Sequence, residues 1–448
     1  MKKYFIAALF FTLLGTMAQS QSKTTAAKAG GTSGVAKGGV GMTWIGDDAY
    51  YLISLAPEIA FGKFGVGLDL NFYVSSKDQS IRWQELQRAR FIRYLRYGTK
   101  GDEFYIRLGI LDYARLGHGT VLYNYKNSPS VDNRRIGTEI DVNFEKWGVE
   151  TVYGDVTDIG VLGTRGYVRP LQFTPAASVP ILGKLEVGAT FASDLREDSR
   201  DTQIDTTGGV QKKYNNGSVS AVGLDLGLPL VNSSVFNLTY YLDYSKILNF
   251  GHGFATGVEM NASAFGLVTL TSKLERRFGQ TEKYIPSYFD AFYEIERYQI
   301  NTDDITKKDT LYSKAKLLEN TTKPSAGFFG SLMVDVLGTI QVEGSYRKLD
   351  DDPESGALHL GTNTGDKIPL IHVSLGYDKR NIKNGKDVFT LDSRSLLYAE
   401  VGYKPYPFMI VSMLYTITFA PNRDHDGNVQ GYSQQKRVTP KVSFIFPL

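Results

Sequence analysis

Cysteine is absent from the whole chain of 448 residues. No disulfide framework and no thiolate metal site can therefore form. Nor does any cysteine follow the N-terminal segment to carry a lipid anchor. Histidine is scarce, at five, and no third ligand sits at a recognisable spacing from any pair, so the expectation for metal and cofactor is none. An excess of one charge is also missing. Lys plus Arg number 50 against 47 for Asp plus Glu, and nothing global points to nucleic acid. No stretch beyond the N-terminus is continuously apolar for the length of a membrane helix. The nucleophile pattern G-x-S-x-G does not occur, and the expectation is a protein that is not an enzyme.

What is present begins with Lys2 and Lys3, the apolar run Tyr4–Leu14 and the small or polar residues Gly15–Ser20. A positive start, a short apolar run and a small-residue site read as a signal peptide over residues 1–20. A Gly/Ala/Ser/Thr-rich segment over 21–39 reads as a flexible leader. Residues 40–448 then read as one domain.

Period two dominates from Tyr51 onward. Phe64, Val66, Leu68, Leu70, Phe72 and Val74 alternate with Gly65, Gly67, Asp69, Asn71 and Tyr73. Only Gly62-Lys63 separates this run from Tyr51–Phe61, which is a hairpin spacing. Leu238, Tyr240 and Leu242 alternate with Asn237, Thr239 and Asp243. In the last forty-odd residues Met409, Val411, Met413 and Tyr415 share a face, and after a polar connection over Pro421–Gln435, Val442, Phe444, Phe446 and Leu448 share another. Helical period is confined to Ile81–Arg90 and Ser287–Arg297.

Each run has the length of a strand that crosses a bilayer at a tilt. The polar faces carry charge in mid-strand, including Glu139, Asp141, Glu343, Arg347 and Glu400. Those charges stay solvated at little cost if they face a wet lumen and the greasy faces meet lipid. Connections mostly alternate between short, as at Gly62, Thr99–Glu103 and Glu145-Lys146, and long, as at Asp112–Asn133, Arg196–Gly217, Gln280–Lys323 and Leu349–Asp366. The expected fold is all-β: a transmembrane antiparallel β-barrel of about 18 strands, range roughly 16–20, with short periplasmic turns and long external loops. A soluble sandwich or propeller is the competing reading, and no blade repeat supports it.

Several residues stand out as candidates. Arg165 and Arg169 are read on one face of Val161–Phe173, facing the lumen with Glu139, Asp141, Glu343, Arg347 and Glu400. Cations on a lumen wall favour anions; the alternative is pairing with lumen carboxylates. His118 and His252 each sit in Gly-His-Gly and are candidates for loops or the barrel mouth, either as a paired imidazole site or as glycine-rich turns. Aromatics at strand ends, such as Phe61, Phe64, Tyr403 and Phe408, suit interfacial girdles.

Val442–Leu448 resembles the aromatic terminal strand by which Gram-negative outer-membrane proteins are handed to the barrel insertion machinery, although it ends in Pro447-Leu448 instead of Phe. Gly46-Asp47-Asp48-Ala49, followed by Ala56-Pro57-Glu58-Ile59-Ala60, resembles the opening of the long-chain fatty-acid transporter family. There an acidic-Ala element precedes an Asn-Pro-Ala-Gly-type hatch; Ala56 stands here in place of Asn. The chain as a whole resembles porin-like Gram-negative outer-membrane barrels. The resemblance implies an outer-membrane location, with lipid and the insertion machinery as partners, and names no solute. The functional expectation is a porin-like channel or transporter for small solutes. Uptake of hydrophobic compounds and a non-transporting role in an envelope secretion or assembly complex are the alternatives.

Overall fold

A computed structural model describes residues 32–45, 48–81, 91–128, 135–196, 199–200, 202–205, 212–215, 217–264, 266–300, 311–319, 326–365, 368–392, 394–423 and 429–447. The expected signal peptide and most of the helical candidate Ile81–Arg90 lie outside these residues.

The wall opens with β1 (Thr32–Ile45), β2 (Asp48–Phe61), β3 (Phe64–Leu68), β4 (Leu70–Ser75), β5 (Ile92–Tyr97) and β6 (Phe104–Gly109). It continues through β7 (Gly137–Asn143), β8 (Trp147–Tyr153), β9 (Val161–Val168) and β10 (Glu186–Asp194). A loop hairpin, β11 (Thr202–Asp205) and β12 (Lys212–Asn215), stands apart as its own sheet. The wall resumes with β13 (Val219–Asn232), β14 (Phe236–Ile247), β15 (His252–Ala264) and β16 (Val268–Phe278). A second loop pair, β17 (Tyr298–Ile300) and β18 (Leu311–Ser313), precedes β19 (Gly327–Val336) and β20 (Ile340–Leu349). The last strands are β21 (Gly356–Thr364), β22 (Ile371–Ile382), β23 (Ser395–Tyr406), β24 (Met409–Arg423) and β25 (Val429–Pro447).

Every wall strand pairs antiparallel with its neighbour, and β1 pairs with β25, so the sheet closes on itself. The sheet holds 21 segments, and β3 and β4 are two halves of one stave along β2, which makes twenty staves. That is more than the expected eighteen and stands at the upper end of the expected range. One stave that alternation did not resolve is β21, inside the presumed long connection Leu349–Asp366. β1 also starts earlier than the expected boundary at residue 40, inside the stretch read as leader. The connection expected over Pro421–Gln435 is mostly strand, because β24 runs to Arg423 and β25 starts at Val429.

Alternation sets the two faces. Tyr51, Ile53, Leu55, Val411 and Met413 are exposed on the outside, while Ser54, Asp69, Asn71, Asp243 and Ser412 are buried on the inside. On β14, Tyr240 is 38% exposed and Asp243 4%. Aromatics ring the short-turn end. Phe61 stacks on Phe64 at 5.4 Å, Phe64 meets Tyr97 edge-on at 4.8 Å, and Phe144 meets Trp147 at 5.0 Å.

Both ends of the described chain lie at the short-turn rim, since β1 starts and β25 finishes there. One connection at that rim breaks the expected pattern. Residues 169–185 form three 3₁₀ turns, Pro170–Phe173, Pro175–Ser178 and Leu182–Lys184. Pro170 ends β9, because proline disfavours the strand ladder and restrains the residue before it. Arg169 is therefore at a strand end, not on the face of a strand running to Phe173.

Candidate lumen and its constriction

The chain leaves the wall at Gly109. Its φ of +139° is open to glycine alone, and a Cβ there would sit 2.3 Å from the carbonyl oxygen of Arg93. From this point residues 110–128 fold into the barrel. Ala114 and Tyr125 pair antiparallel, with N–O distances of 3.1 and 3.0 Å, and Leu116 N–H donates to the carbonyl of Leu122 at 3.2 Å. The result is a hairpin-like crossbar with its tip at Gly117–Thr120.

The tip is held from several sides. Gly117 N–H donates to Glu150 of β8 at 2.7 Å, and the Arg165 side chain lies against Gly117. His118 stacks on Tyr241 of β14, and its Nδ1 is 3.5 Å from Glu259 of β15. Lys273 of β16 donates to the His118 carbonyl, and Thr120 donates to Asp243. Arg115 lies 3.4 Å from Glu259. The root of the crossbar is tied elsewhere. Lys126 pairs with Asp378 of β22 at 2.6 Å, and Tyr113 packs edge-on against His359 of β21. One loop thus joins β8, the β14–β16 wall and the β21–β22 wall.

A second inward segment leans on the first. Phe289 bridges Leu122, and the two backbones exchange bonds at Val121, Tyr123 and Phe289. The expected helix over Ser287–Arg297 shrinks to one turn, α1 (Tyr293–Glu296). Leu122, Tyr125, Tyr288, Phe289 and Tyr293 form, with Val152, Val161 and Ala192 of the wall, an apolar core inside the barrel. Carboxylates of this segment meet cations around it. Glu294 pairs with Arg135 and Arg297 and accepts from Tyr125 at 2.5 Å. Asp290 pairs with Lys314 at 3.1 Å and Arg347 at 2.8 Å; Glu296 pairs with Lys314 and Arg380. Burial pushes the Glu294 carboxyl up, but Arg135 and Arg297 outweigh it and hold it below its ordinary value. Asp290 is depressed in the same way, burial being overcome by Lys314 and Arg347.

The candidates read from the sequence fall as follows. Arg165 is buried and bonded to three carboxylates: Asp225 at 2.5 and 3.0 Å, Glu186 at 2.8 Å and Glu150 at 3.1 Å. Arg169 pairs with the same Glu186 at 2.9 Å and donates to the Phe144 carbonyl. Glu139 and Asp141 both meet Lys100, at 3.1 and 3.6 Å. Glu343 lies 3.5 Å from His359, and Arg347 holds Asp290. Glu400 accepts from Tyr398 and Ser412 at 2.8 and 2.7 Å. His118 and His252 do not come together. His118 reaches the mid-height of the wall, while His252 packs between Tyr244 and Phe254 at the start of β15. Asp290, Glu294, Glu296 and Lys126 went unread in the sequence, because each meets its partner through a loop that folds inward.

A closed antiparallel barrel with an apolar, aromatic-ringed exterior and a charged interior is a transmembrane β-barrel of the outer-membrane kind. Solved structures similar to the chain include three at low identity. Pseudomonas aeruginosa OccK5 (OpdH) is 12% identical, with 94% of this chain and 99% of that one covered and a TM-score of 0.31. Acinetobacter baumannii OccAB3 is 9% identical, with 93% and 99% covered and a TM-score of 0.30. A variant of the Pseudomonas aeruginosa ferric enterobactin receptor PfeA is 10% identical, with 94% and 81% covered and a TM-score of 0.37. No family model and no curated protein matches the chain.

Proposed function

We propose that the chain is an outer-membrane transport barrel that passes small polar solutes through a lumen narrowed by the 110–128 crossbar. A twenty-stave barrel encloses room for a channel unless something fills it. Among the described residues the filling is the 110–128 crossbar and the 284–297 segment that leans on it, both fastened to the wall by named contacts. The observation that carries the reading is the charged inner wall on which the crossbar is fastened, from Glu150 and Arg165 to Asp378. Arg165 is saturated by carboxylates, so the wall supports size selection more than preference for anions. Residues 1–20 act as an export signal in this reading, and β25 as the strand met by the insertion machinery.

Swelling of proteoliposomes in sugars and amino acids of graded size tests it. Swelling that falls steeply with solute size supports a narrowed channel. Vesicles that behave like protein-free ones would defeat the proposal.

A further inference from the structure

The connection between β9 and β10 is longer than the topology requires. The ladder between these strands ends at Val168↔Val187, and Arg169 and Glu186 form an ion pair at 2.9 Å directly beyond it. A tight turn could join the strands there. Gly62-Lys63 and Glu145-Lys146, at the same rim, are connections of that kind. Here the chain instead runs out over residues 170–184 and returns.

The excursion is held in shape by its own bonds. The Gln172 amide donates to the Gly183 carbonyl at 2.6 Å, the Thr174 hydroxyl accepts from the Ala176 N–H at 3.2 Å, and the Gly183 N–H donates to the Val179 carbonyl at 2.9 Å. Residue 183 must be glycine, because a Cβ there would lie 2.4 Å from the Ala177 carbonyl oxygen. Pro170, Pro175 and Pro180 preset φ along the way. Ile181 takes a φ of +66°, where β-branched residues are rare, and the Leu182 N–H then reaches the Pro180 carbonyl at 2.7 Å. A segment held in this way loses little freedom when it binds.

The surface it presents is apolar. Phe173 is 59% exposed and Leu182 52%, and Val179 and Ile181 are exposed as well. The exposed lipid-facing band reaches the base of the excursion through Val168 and Val187, and through Trp147, which is in register with Val168 and packs on Phe144. Charge narrows the choice of partner. Arg169–Leu185 contains Arg169 and Lys184 and no Asp or Glu. Glu186 neutralises Arg169, whereas Lys184 is exposed. The Lys146 ammonium lies 5.2 Å from the Phe173 ring centroid. Neither lysine forms an ion pair among the described residues. Apolar side chains with free lysines at their margin suit a membrane surface, where alkyl stems sink and ammonium groups meet phosphates.

We infer that residues 170–184 are an interfacial foot that binds anionic phospholipid in the leaflet on the short-turn side. Phe173, Val179, Ile181 and Leu182 enter the acyl boundary, and Lys146 and Lys184 take the headgroup phosphates. The foot continues the lipid-facing band sideways at one point of the rim and fixes the depth of the β7–β10 wall there. It needs no solute and stands apart from the axial route proposed above.

The chain has no native cysteine, so single probes can be placed cleanly. Val179→Cys and Leu182→Cys are labelled with nitrobenzoxadiazole and reconstituted in phosphatidylcholine vesicles with and without phosphatidylglycerol. Glu103→Cys, exposed on the β5–β6 turn, is the control. The heat-modifiable band selects folded protein. The expected result is blue-shifted emission at 179 and 182, quenched by lipids with doxyl-labelled acyl chains, and water-like, unquenched emission at 103. Doxyl phosphatidylglycerol should quench more than doxyl phosphatidylcholine at equal fraction, and Lys146→Gln/Lys184→Gln should abolish that difference. Water-like emission at 179 and 182 in the inserted protein would overturn the inference, and a blue shift that appears only on adding periplasmic extract would assign the surface to a protein instead. A headgroup difference that is absent, or that survives loss of both lysines, would also overturn it. None of these readings depends on conduction, so the transport proposal and the foot can each fail alone.

Discussion

His118 lies flat on Tyr241, with ring centroids 4.1 Å apart and planes 7° from parallel. One ring sits at the tip of the inward loop and the other on the inner face of β14. The stack therefore fixes the crossbar to a wall distant from its root. Aromatic stacking of this kind contributes about 0.5–1.5 kcal/mol. His118→Ala should loosen the tip by that order while the wall stays folded. Amide exchange across residues 116–120 should accelerate, with the heat-modifiable gel shift unchanged. No change in exchange would mean that Glu150, Asp243 and Lys273 hold the tip alone.

Arg165 should prove structural. Removing it leaves the half-buried Glu150 and Glu186 facing the buried Asp225 with no guanidinium between them. Breaking a buried ion pair by deleting one partner costs about 3–5 kcal/mol. Arg165→Met should therefore lower the unfolding midpoint in denaturant far more than Arg169→Gln, whose guanidinium is partly exposed. A pair open to solvent costs about 0–1 kcal/mol, and the half-buried Arg169–Glu186 pair lies nearer that value than the Arg165 cluster does. In a folded, conducting Arg169→Glu variant the reversal potential under a salt gradient should stay where it was. A clear move toward cation preference would restore the reading of this wall as a selectivity element.

The two faces of β14 can be compared with one side chain. Tyr240→Arg places a charge on the lipid face and should cost about 2–4 kcal/mol near mid-bilayer. Thr239→Arg, on the neighbouring inward position, should cost much less. Equal losses of stability in denaturant titrations would contradict the inside–outside assignment of this strand.

Acidification should release the inner segment. The carboxyls of Glu294 and Asp290 are held below their ordinary values by Arg135, Arg297, Lys314 and Arg347. A group whose folded value is depressed contributes stability that is present above the unfolded value and lost as pH falls through the folded one. The anchor should therefore be intact at neutral pH and fail progressively below about pH 4. Protease sensitivity of the 280–297 segment against pH checks this, with cutting expected only at the acid end. Release on raising the pH would reverse the sign and refute the assignment.

The staves were largely legible from residues such as Phe64–Val74 and Leu238–Asp243, because a wall between lipid and water imposes period two with few exceptions. β21 was less legible. Gly356, Gly361 and His359 interrupt its apolar alternation, and only pairing with β20 and β22 makes it a strand. The crossbar was not legible at all. Thr120 meets Asp243, and Lys126 meets Asp378, across more than a hundred residues of chain. Such pairs leave no local period. The one available signal was the aromatic density of Tyr284–Tyr293, too rich for a solvated loop.

The measurement that bears most directly on a loop-narrowed lumen is single-channel conductance of the wild type and of Asp290→Asn/Glu294→Gln at neutral pH. These substitutions remove two of the three carboxylates that fasten the inner segment, leaving Glu296, and change no wall strand. The predicted result is a small steady conductance for the wild type and a larger, noisier one for the double variant. Identical conductances in the two folded proteins, or silence in both, would contradict a lumen narrowed by these loops.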